Sequence, residues 1–335
     1  MTSFFSCDWG TTTFRLRRVN AATGDVMDER REATGAKVLF SSCAPGDTTA
    51  REDAFSNFLR EQLCRMVGND VASLDGASVI ISGMASSSVG WRELPYARVP
   101  VDLDGSNLTQ DSFELDVGGN RRMRIRLISG LCSESDMMRG EETEILGLLS
   151  RGRHARIAED GIAVLPGTHS KHVRLRNRQI TGFRTYMTGE LFDVLSAHSL
   201  LRASVQPIDG APSTTLSEPA AHEAFVAGVR ASSVSGLAGS LFQTRVRTVL
   251  QKVPPTVNRW FLSGLLIGSE LVDLMAQEPD VPVLLAAADP LHVAYGAAFE
   301  VLDVGDKLSV VPPEEMSLAS VRGHQALLRR WSKTQ

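Results

Sequence analysis

A short segment near the start of the chain combines an acidic residue with glycine and threonine. Asp8 ends an apolar run and is followed closely by Gly10, Thr11 and Thr12. An acidic residue at a strand end can hold Mg²⁺ directly or through water, glycine lets the backbone come close, and threonine donates N–H and O–H groups to phosphate oxygens. The pattern predicts a nucleotide-binding turn, although the same residues also suit an ordinary hairpin turn.

A second segment repeats this pattern in the other half of the chain. The second turn consists of Gly167, Thr168, His169, Ser170 and Lys171. It lies between an apolar strand over 161–165 and an alternating strand over 173–176. Each half then continues with a predicted third strand, over 26–32 and 179–186, and a predicted helix, over 49–66 and 187–201. Two such copies suggest duplicated α/β domains that aim both turns at a shared cleft, and two phosphate turns at one cleft fit ATP.

Five further segments carry a specific resemblance. They span residues 82–91, 138–143, 166–171, 183–191 and 261–270. The paired turns resemble those of the actin, sugar-kinase and heat-shock ATPase superfamily, and the five segments in order resemble the 2-dehydro-3-deoxygalactonokinase family. The resemblance implies an α/β fold of two duplicated ribonuclease-H-like (actin-like ATPase) domains with an interdomain cleft. It also implies an ATP-dependent kinase for the terminal 6-hydroxyl of 2-dehydro-3-deoxy-D-galactonate, in galactonate catabolism.

Length and composition agree with this interpretation. The 335 residues suit two domains, which we predict at 1–155 and 156–311, with a helix over 312–335 that the resemblance places on the first domain. A net charge of −4 gives no reason to expect nucleic acid, the four cysteines lack metal-binding spacing, and no apolar run is long enough to span a membrane. We therefore expect a cytoplasmic enzyme with ATP, Mg²⁺ and a sugar acid as ligands, and a homodimer is left open.

Four carboxylates are candidates for catalysis: Asp8, Glu141, Glu142 and Glu190. Phosphoryl transfer needs positioning, Mg²⁺ and a group that accepts the proton of the attacking hydroxyl. Glu141 and Glu142 are predicted to begin one helix and Glu190 to lie in the first turn of another, where a carboxylate also simply favours the helix dipole. The sequence does not decide which of them is the base. Superfamily analogy assigns Asp8 to Mg²⁺, through water, rather than to the proton.

The acceptor implied by the resemblance carries a carboxylate, so its site should contain a cation or backbone donors. Arg15, Arg139 and Arg184 are the candidate cations, and a solvated surface arginine is the alternative for each. The other predicted substrate-binding residues are Ser82, Gly83, Met84, Trp91 and Thr185. Trp91 could either stack on the sugar or pack in the core.

Gly264 and Gly268 are the predicted contacts on the adenine side of the nucleotide. Because glycine has no side chain, these two residues leave one face of an apolar helix open to a ligand. The same spacing also lets two helices pack closely. The later loop over 286–288 has alanine where the superfamily commonly has glycine, which puts nucleotide affinity in question. Two alternatives stay open: a kinase for another 2-keto-3-deoxy sugar acid, such as the gluconate epimer, and a non-catalytic regulator that binds ATP and a sugar acid.

Overall fold

The computed structural model describes residues 3–149, 152, 154–206 and 214–334. The described strands are β1 Ser3–Trp9, β2 Phe14–Asn20, β3 Val26–Glu32, β4 Ser78–Gly83, β5 Ala97–Arg98, β6 Val101–Asp102, β7 Gln110–Gly118, β8 Arg121–Ile128, β9 Leu131–Cys132, β10 Met137–Met138, β11 Asp160–Leu165, β12 Ser170–Arg176, β13 Gln179–Tyr186, β14 Val283–Leu285 and β15 Leu308–Val310. The described α-helices are α1 Ala36–Ser41, α2 Thr48–Val67, α3 Glu141–Leu149, α4 Ala155–Glu159, α5 Thr188–His198, α6 Arg202–Val205, α7 Pro219–Ser240, α8 Gln243–Val249, α9 Pro255–Gln277, α10 Leu291–Val301, α11 Pro313–Met316 and α12 Ala319–Thr334.

Tertiary contacts divide the chain into two compact units. The first unit contains Met1–Ala158, Arg178–Gly182 and Ser317–Gln335, and the second contains Glu159–Asn177 and Phe183–Met316. Both units combine a sheet with helices, so the predicted mixed α/β fold is confirmed. The predicted domain limits at residues 155 and 311 stay a prediction.

The sheet of the first unit has the order β3-β2-β1-β4-β8-β7. Strand β1 runs antiparallel to β2 and parallel to β4. Side chains of β1 are buried on both of its faces, as for Phe4 and Phe5, which is the pattern expected for a central strand covered on both sides. The carboxyl end of β1 therefore lies in the middle of the sheet, where it presents Asp8 and the turn that follows.

The sheet of the second unit repeats this order as β13-β12-β11-β14-β15. Strand β11 runs antiparallel to β12 and parallel to β14, as β1 does with β2 and β4. The duplicated arrangement predicted from the two strand–turn–strand segments is thus present in the structure. In each copy the glycine–threonine turn joins the central strand to its antiparallel neighbour.

Helices α7 and α9 of the second unit pack closely through glycine. A Cβ atom on Gly264 would lie 2.1 Å from the carbonyl oxygen of Phe225, and one on Gly268 would lie 2.8 Å from Cα of Val229. Only glycine allows backbones to approach so closely. The predicted role of Gly264 and Gly268 as nucleotide contacts is therefore wrong, because both residues are buried against α7.

Helix α12 packs on α3 within the first unit. A Cβ atom on Gly147 of α3 would lie 1.8 Å from the carbonyl oxygen of Ala319, and one on Gly323 of α12 would lie 2.1 Å from that of Thr143. Buried His324 of α12 also contacts β1, where its Nδ1 lies 2.7 Å from Oγ of Ser6. Helix α12 thus contacts both elements that carry the candidate catalytic carboxylates of the first unit, β1 with Asp8 and α3 with Glu141.

The structure also reports on cysteines and membrane-spanning helices. Cys7, Cys43, Cys64 and Cys132 are free thiols, and Cys7 is buried. Within the described ranges no single helix is long and apolar enough to cross a membrane. Helices α7 and α8 are long and apolar enough only when they are taken together, and the chain bends by 97° between them.

Candidate active site

The first turn is held by backbone hydrogen bonds to the residues that open α1. The carbonyl oxygen of Gly10 accepts from the N–H of Ala36 at 3.0 Å, and that of Thr11 accepts from the N–H of Lys37 at 3.2 Å. A Cβ atom on Gly35 would lie 2.3 Å from the carbonyl oxygen of Thr11, so only glycine fits behind the turn. The carbonyl groups are thereby turned inward, while the side chain of Thr11 is exposed.

Asp8 lies among charges of both signs beside this turn. Burial raises the pKa of Asp8, the nearby guanidinium groups of Arg15 and Arg17 oppose this, and the carboxylate of Glu141 raises the pKa further. Arg15 pairs directly with Asp8 across β1 and β2, so both side chains lie on one face of the sheet. This half-buried guanidinium makes no hydrogen bond or ion pair with a described residue, and burial together with Arg17 and Arg31 lowers its pKa. Its open donors suit an anionic ligand.

Glu144 of α3 joins the same cluster, although sequence reasoning did not select it. Burial raises the pKa of Glu144 well above its ordinary value, and repulsion from Asp8, Glu141 and Glu142 adds to this. Glu141 and Glu144 are three residues apart on a helix, a spacing that places them on one side and could have identified the pair. Among the described residues, no three His, Cys, Asp or Glu side chains are arranged as a ready-made metal site.

Glu142 is a structural carboxylate at the start of α3. Its Oε2 accepts the N–H of Gly140 at 2.7 Å, and its Oε1 accepts the hydroxyl of Thr143 at 3.0 Å. Burial, followed by repulsion from Glu141, raises the pKa of Glu142 to about 7. The side chain has no exposed surface. The predicted role of Glu142 as the acceptor of a sugar proton is therefore contradicted, because a hydroxyl from solvent does not reach it.

Arg139 fixes the loop that follows β4. Its Nη1 donates to the carbonyl oxygen of Ser86 at 2.7 Å and to the hydroxyl oxygen of Ser86 at 2.6 Å. The guanidinium lies over the ring of Tyr96, at 4.2 Å from the centroid. The guanidinium of Arg139 thus already makes hydrogen bonds and a ring contact inside the first unit. A contact of Arg139 with the substrate stays a prediction.

Ser82, Gly83 and Met84 lie where β4 ends beside the start of α3. Ser82 is buried and Met84 is half-buried. Gly83 has φ of 89°, and a Cβ atom there would lie 2.7 Å from the carbonyl oxygen of Trp9. Its Cα lies 3.7 Å from the position that a Cβ atom of Gly140 would take. The loop and the Glu141 end of α3 are therefore close neighbours.

Trp91 belongs to the core of the first unit. It has no exposed surface, and its ring stacks on Phe55 with an angle of 20° between the planes. The indole Nε1 donates to Oε2 of Glu52 at 2.7 Å. Of the two alternatives for Trp91, the structure shows packing in the core and not stacking on the sugar, because its ring face and its polar atom are both used in the fold.

The second turn rests on the start of α5. A Cβ atom on Gly189 would lie 2.7 Å from the carbonyl oxygen of Gly167, so α5 meets the turn at a glycine. The N–H of Glu190 donates to the carbonyl oxygen of Thr168 at 3.1 Å. His169 Nε2 lies 2.5 Å from Oε2 of Glu190, with both side chains about half exposed. Glu190 is therefore a partner of the turn itself, and its role as the base stays a prediction.

The other two residues of this turn point into the protein. Ser170 is fully buried, and its hydroxyl donates to Oε1 of Glu270 at 2.6 Å. Lys171 is also buried, with Nζ donating to the carbonyl oxygen of His169 at 3.3 Å. The turn thus exposes Thr168 and His169 to solvent and anchors itself through the two residues that follow.

A cavity of about 300 Å³ lies in the second unit beside this turn. It is lined by Gly167, Thr168, Thr188, Gly189, Phe192, Asp193, Arg259, Trp260, Ser263, Leu266, Ile267, Pro290, Leu291, Ala294 and Tyr295. A mostly apolar cavity with a few polar groups is typical of small-molecule sites. On α9, Trp260, Ser263 and Ile267 line the cavity, whereas the predicted Gly264 and Gly268 do not.

Arg184 and Thr185 lie on β13 of the second unit, just before α5. Nη1 of Arg184 donates to Oδ2 of Asp273 at 2.8 Å, and the hydroxyl of Tyr186 donates to the same oxygen at 2.5 Å. Thr185 is half-buried beside them. A substrate carboxylate at Arg184 would have to compete with Asp273, and substrate binding by Arg184 and Thr185 stays a prediction.

Comparison with known proteins connects these sites to a family. The family model described as 2-keto-3-deoxy-galactonokinase matches residues 8–322. The 2-dehydro-3-deoxygalactonokinase of Escherichia coli strain K12 is 30% identical over 309 residues, which cover 89% of this chain and 90% of that protein. A protein of Rhizobium meliloti strain 1021, named as a candidate enzyme of the same activity, is 32% identical over 308 residues, covering 89% of each chain.

A solved structure agrees with the sequence relatives. The crystal structure of a candidate 2-dehydro-3-deoxygalactonokinase from Sinorhizobium meliloti superposes with a TM-score of 0.77 at 27% identity. The superposition covers 98% of this chain and 99% of that one. The resemblance stated from five short segments is thereby confirmed, and the chain belongs to the 2-keto-3-deoxy-galactonokinase family.

Proposed function

We propose that this chain transfers the γ-phosphoryl group of ATP to the terminal 6-hydroxyl of 2-dehydro-3-deoxy-D-galactonate. The family and the names of the two sequence relatives support the reaction class and the acceptor. The structural observation that carries the proposal is the cavity of about 300 Å³ whose wall includes Gly167 and Thr168 of the second turn. A nucleotide whose base and sugar occupied this cavity would have its phosphates beside a turn with accessible backbone.

The backbone of Gly167 supports phosphate binding by the second turn. A Cβ atom built there would have no neighbour closer than 3.9 Å, so the space beside this glycine is open. Thr168 and His169 are exposed next to it. Backbone N–H groups in such a turn, together with the Thr168 hydroxyl, can donate to phosphate oxygens without displacing any side chain.

The residues of the first unit fit a magnesium ion held through water. Asp8 is a carboxylate whose pKa is raised by burial and by Glu141, so a nearby cation would relieve an unfavourable charge. Mg²⁺ keeps several water ligands and is often bound by one or two carboxylates plus phosphate, which suits Asp8 with Glu141 or Glu144 beside it. When bound, the ion supplies charge neutralisation at the transferred phosphoryl group.

Glu141 and Arg15 are the residues we assign to the acceptor. Of the predicted carboxylates, Glu142 is fully buried and Glu190 lies against His169 of the second turn, whereas Glu141 is partly exposed, accepts the N–H of Arg139 at 3.0 Å and is close enough to Asp8 to raise the pKa of Asp8. Glu141 is therefore our candidate to accept the hydroxyl proton. Arg15, with its open guanidinium, is our candidate to bind the sugar-acid carboxylate or a phosphate oxygen.

The ligands, the cellular location and the assembly of the protein were also predicted from the sequence. ATP and a sugar acid are the expected small-molecule partners, as for the family. A cytoplasmic location, a homodimer and the absence of nucleic-acid or membrane partners stay predictions.

An ADP-release assay tests the proposed function. Purified protein receives Mg-ATP with 2-dehydro-3-deoxy-D-galactonate, its gluconate epimer, a neutral hexose or no acceptor. We expect ADP release with the galactonate compound and little with the hexose. Equal release without any acceptor would contradict the kinase assignment, and no release with any acceptor would favour a binding protein. Asp8→Asn is the test variant, because it should lower the rate of ADP release by about 100-fold while the protein remains folded.

A further inference from the structure

Glu270 of α9 is a buried carboxylate on which several elements of the second unit converge. Its Oε1 accepts the hydroxyl of Ser170 at 2.6 Å and lies 2.7 Å from Nε2 of His172. Its Oε2 accepts the hydroxyl of Tyr295 at 2.7 Å and also the hydroxyl of Thr188. All five side chains are buried, so these contacts are shielded from water.

The four partners of Glu270 come from three different elements. Ser170, which belongs to the second turn, and His172 both lie on β12. Thr188 is the first residue of α5, and Tyr295 lies on α10. Thr188 and Tyr295 also line the cavity. One carboxylate therefore joins the turn to two walls of the cavity, although it does not line the cavity itself.

The chemistry of this cluster requires an ionised carboxylate. Burial by itself raises the pKa of Glu270, but the hydrogen bonds from His172, Ser170 and Thr188 outweigh it and leave the pKa below its ordinary value. A carboxylate accepts at both oxygens, whereas an amide of the same shape accepts at one atom and donates at the other. Glutamine at this position would place an N–H₂ group opposite hydroxyls that now donate, and these would have to rotate or move apart.

We infer that Glu270 is a positioning residue for nucleotide binding, which holds the 167–171 turn and the cavity walls in one arrangement. The inference rests on the proposed function, since it requires that a nucleotide occupy this cavity. Glu270 acts through Ser170, Thr188 and Tyr295 and does not touch the ligand. Its effect should appear in the affinity for nucleotide and leave the affinity for the sugar acid unchanged.

Calorimetric titration of the full chain with ADP tests this inference. Glu270→Gln should raise the Kd for ADP by about tenfold, the order of effect expected from losing a hydrogen bond to a charged group. In steady-state assays the same variant should raise KM for ATP while KM for the sugar acid stays unchanged. An unchanged Kd for ADP in Glu270→Gln would overturn the inference.

Asn258 provides a matched control on the same helix. It is fully buried, and its Nδ2 donates to the carbonyl oxygens of Ser204 and Thr244 at 3.1 and 2.7 Å; none of these three residues lines the cavity. Asn258→Ala should lower the melting temperature but leave the Kd for ADP unchanged. Equal weakening of ADP binding in both variants would mean that Glu270 acts only through stability, which would also overturn the inference.

Tyr295→Phe keeps the test valid if Glu270→Gln folds poorly. It removes a single hydroxyl donor and should raise the Kd for ADP by a smaller factor, about threefold. The double variant should bind ADP no more weakly than Glu270→Gln alone, because both changes affect the hydrogen bond between Tyr295 and Glu270. Fully additive effects would contradict the inference.

The same titrations distinguish failure of the inference from failure of the proposed function. If the wild-type protein bound neither ADP nor ATP, the proposed function would fail as well. Tight binding by the wild type with unaffected variants would rule out the positioning role alone.

Discussion

The two glycine–threonine turns occupy equivalent places in two sheets of the same strand order, yet they are supported in different ways. The first turn is fixed by backbone hydrogen bonds to Ala36 and Lys37. The second has one backbone hydrogen bond of this kind, from Glu190 to Thr168, and is fixed in addition by a buried side chain, Glu270, through Ser170. Each has a glycine behind it, Gly35 in the first unit and Gly189 in the second.

The pKa values of the buried carboxylates are shifted in opposite directions in the two regions. In the first unit, burial and mutual repulsion raise the pKa values of Asp8 and Glu144. In the second, hydrogen bonds lower the pKa of Glu270 in spite of burial. The first region therefore holds carboxylates whose charge is unfavourable until a cation or proton arrives, and the second holds a satisfied carboxylate. The proposed function accordingly assigns ion and proton chemistry to one copy of the duplicated framework and nucleotide binding to the other.

The largest effect is expected for Asp8→Asn. Loss of the carboxylate should lower kcat by about 100-fold, as is typical when support for a metal is removed. Because burial raises the pKa of Asp8, its ionised form is disfavoured in the folded protein, so the neutral variant should melt no lower than the wild type. Initial rates and thermal melts measure both quantities. A large fall in melting temperature would show that Asp8 is structural and would break the contrast between the two turns.

A smaller effect is expected for Gly189→Ala. The new Cβ atom would meet the carbonyl oxygen of Gly167 at 2.7 Å and displace the second turn, so KM for ATP should rise by about tenfold. Gly296→Ala is the matched control, since a Cβ atom there meets nothing within 4 Å in the same unit. It should leave KM for ATP unchanged. Equal KM values in both variants would argue against nucleotide binding at this turn.

The effect of Glu142→Gln should appear in stability and its pH dependence. The pKa of Glu142 is about 7 in the folded protein against 4.5 for an ordinary glutamate. A raised pKa means that stability is fully present below about pH 4.5 and is lost as the pH rises through about 7. The melting temperature of Glu142→Gln should therefore exceed that of the wild type at pH 8 and approach it near pH 4. Parallel melting curves across this range would contradict the assignment of Glu142 as a buried, strained carboxylate.

The smallest effect on catalysis is expected for Trp91→Phe. The change removes the hydrogen bond from Nε1 to Glu52 and part of a packed ring, at a cost of about 1–3 kcal/mol in stability. KM for the sugar acid should not change, because the ring lies in the core. Melting curves and steady-state kinetics of the variant separate these expectations. A higher KM at unchanged melting temperature would return Trp91 to the substrate site.

Local sequence patterns predicted the repeated elements well. The third strands were expected over 26–32 and 179–186 and occur as Val26–Glu32 and Gln179–Tyr186. The helix expected over 49–66 occurs as Thr48–Val67. These elements are governed by alternation, helical periodicity and turn residues that lie close together in sequence.

Residues whose role depends on distant contacts were predicted poorly. Gly264 and Gly268 were assigned to the nucleotide, because a sequence does not show which face of an apolar helix meets another helix and which meets a cavity. Glu142 and Glu141 are adjacent, yet one is buried and the other half-exposed. Glu270 was overlooked as a site residue because its partners lie up to 100 residues away in sequence.

The central claim is that the second turn binds the nucleotide while Asp8 beside the first turn supports the metal ion. The most direct test measures the binding of ADP, without Mg²⁺, to the Asp8→Asn and Gly189→Ala variants. Calorimetry of both variants and of the wild type gives the three Kd values. The account predicts that Asp8→Asn binds ADP as tightly as the wild type although its kcat is about 100-fold lower, and that Gly189→Ala binds ADP about tenfold more weakly. Weak binding by Asp8→Asn together with unchanged binding by Gly189→Ala would contradict it.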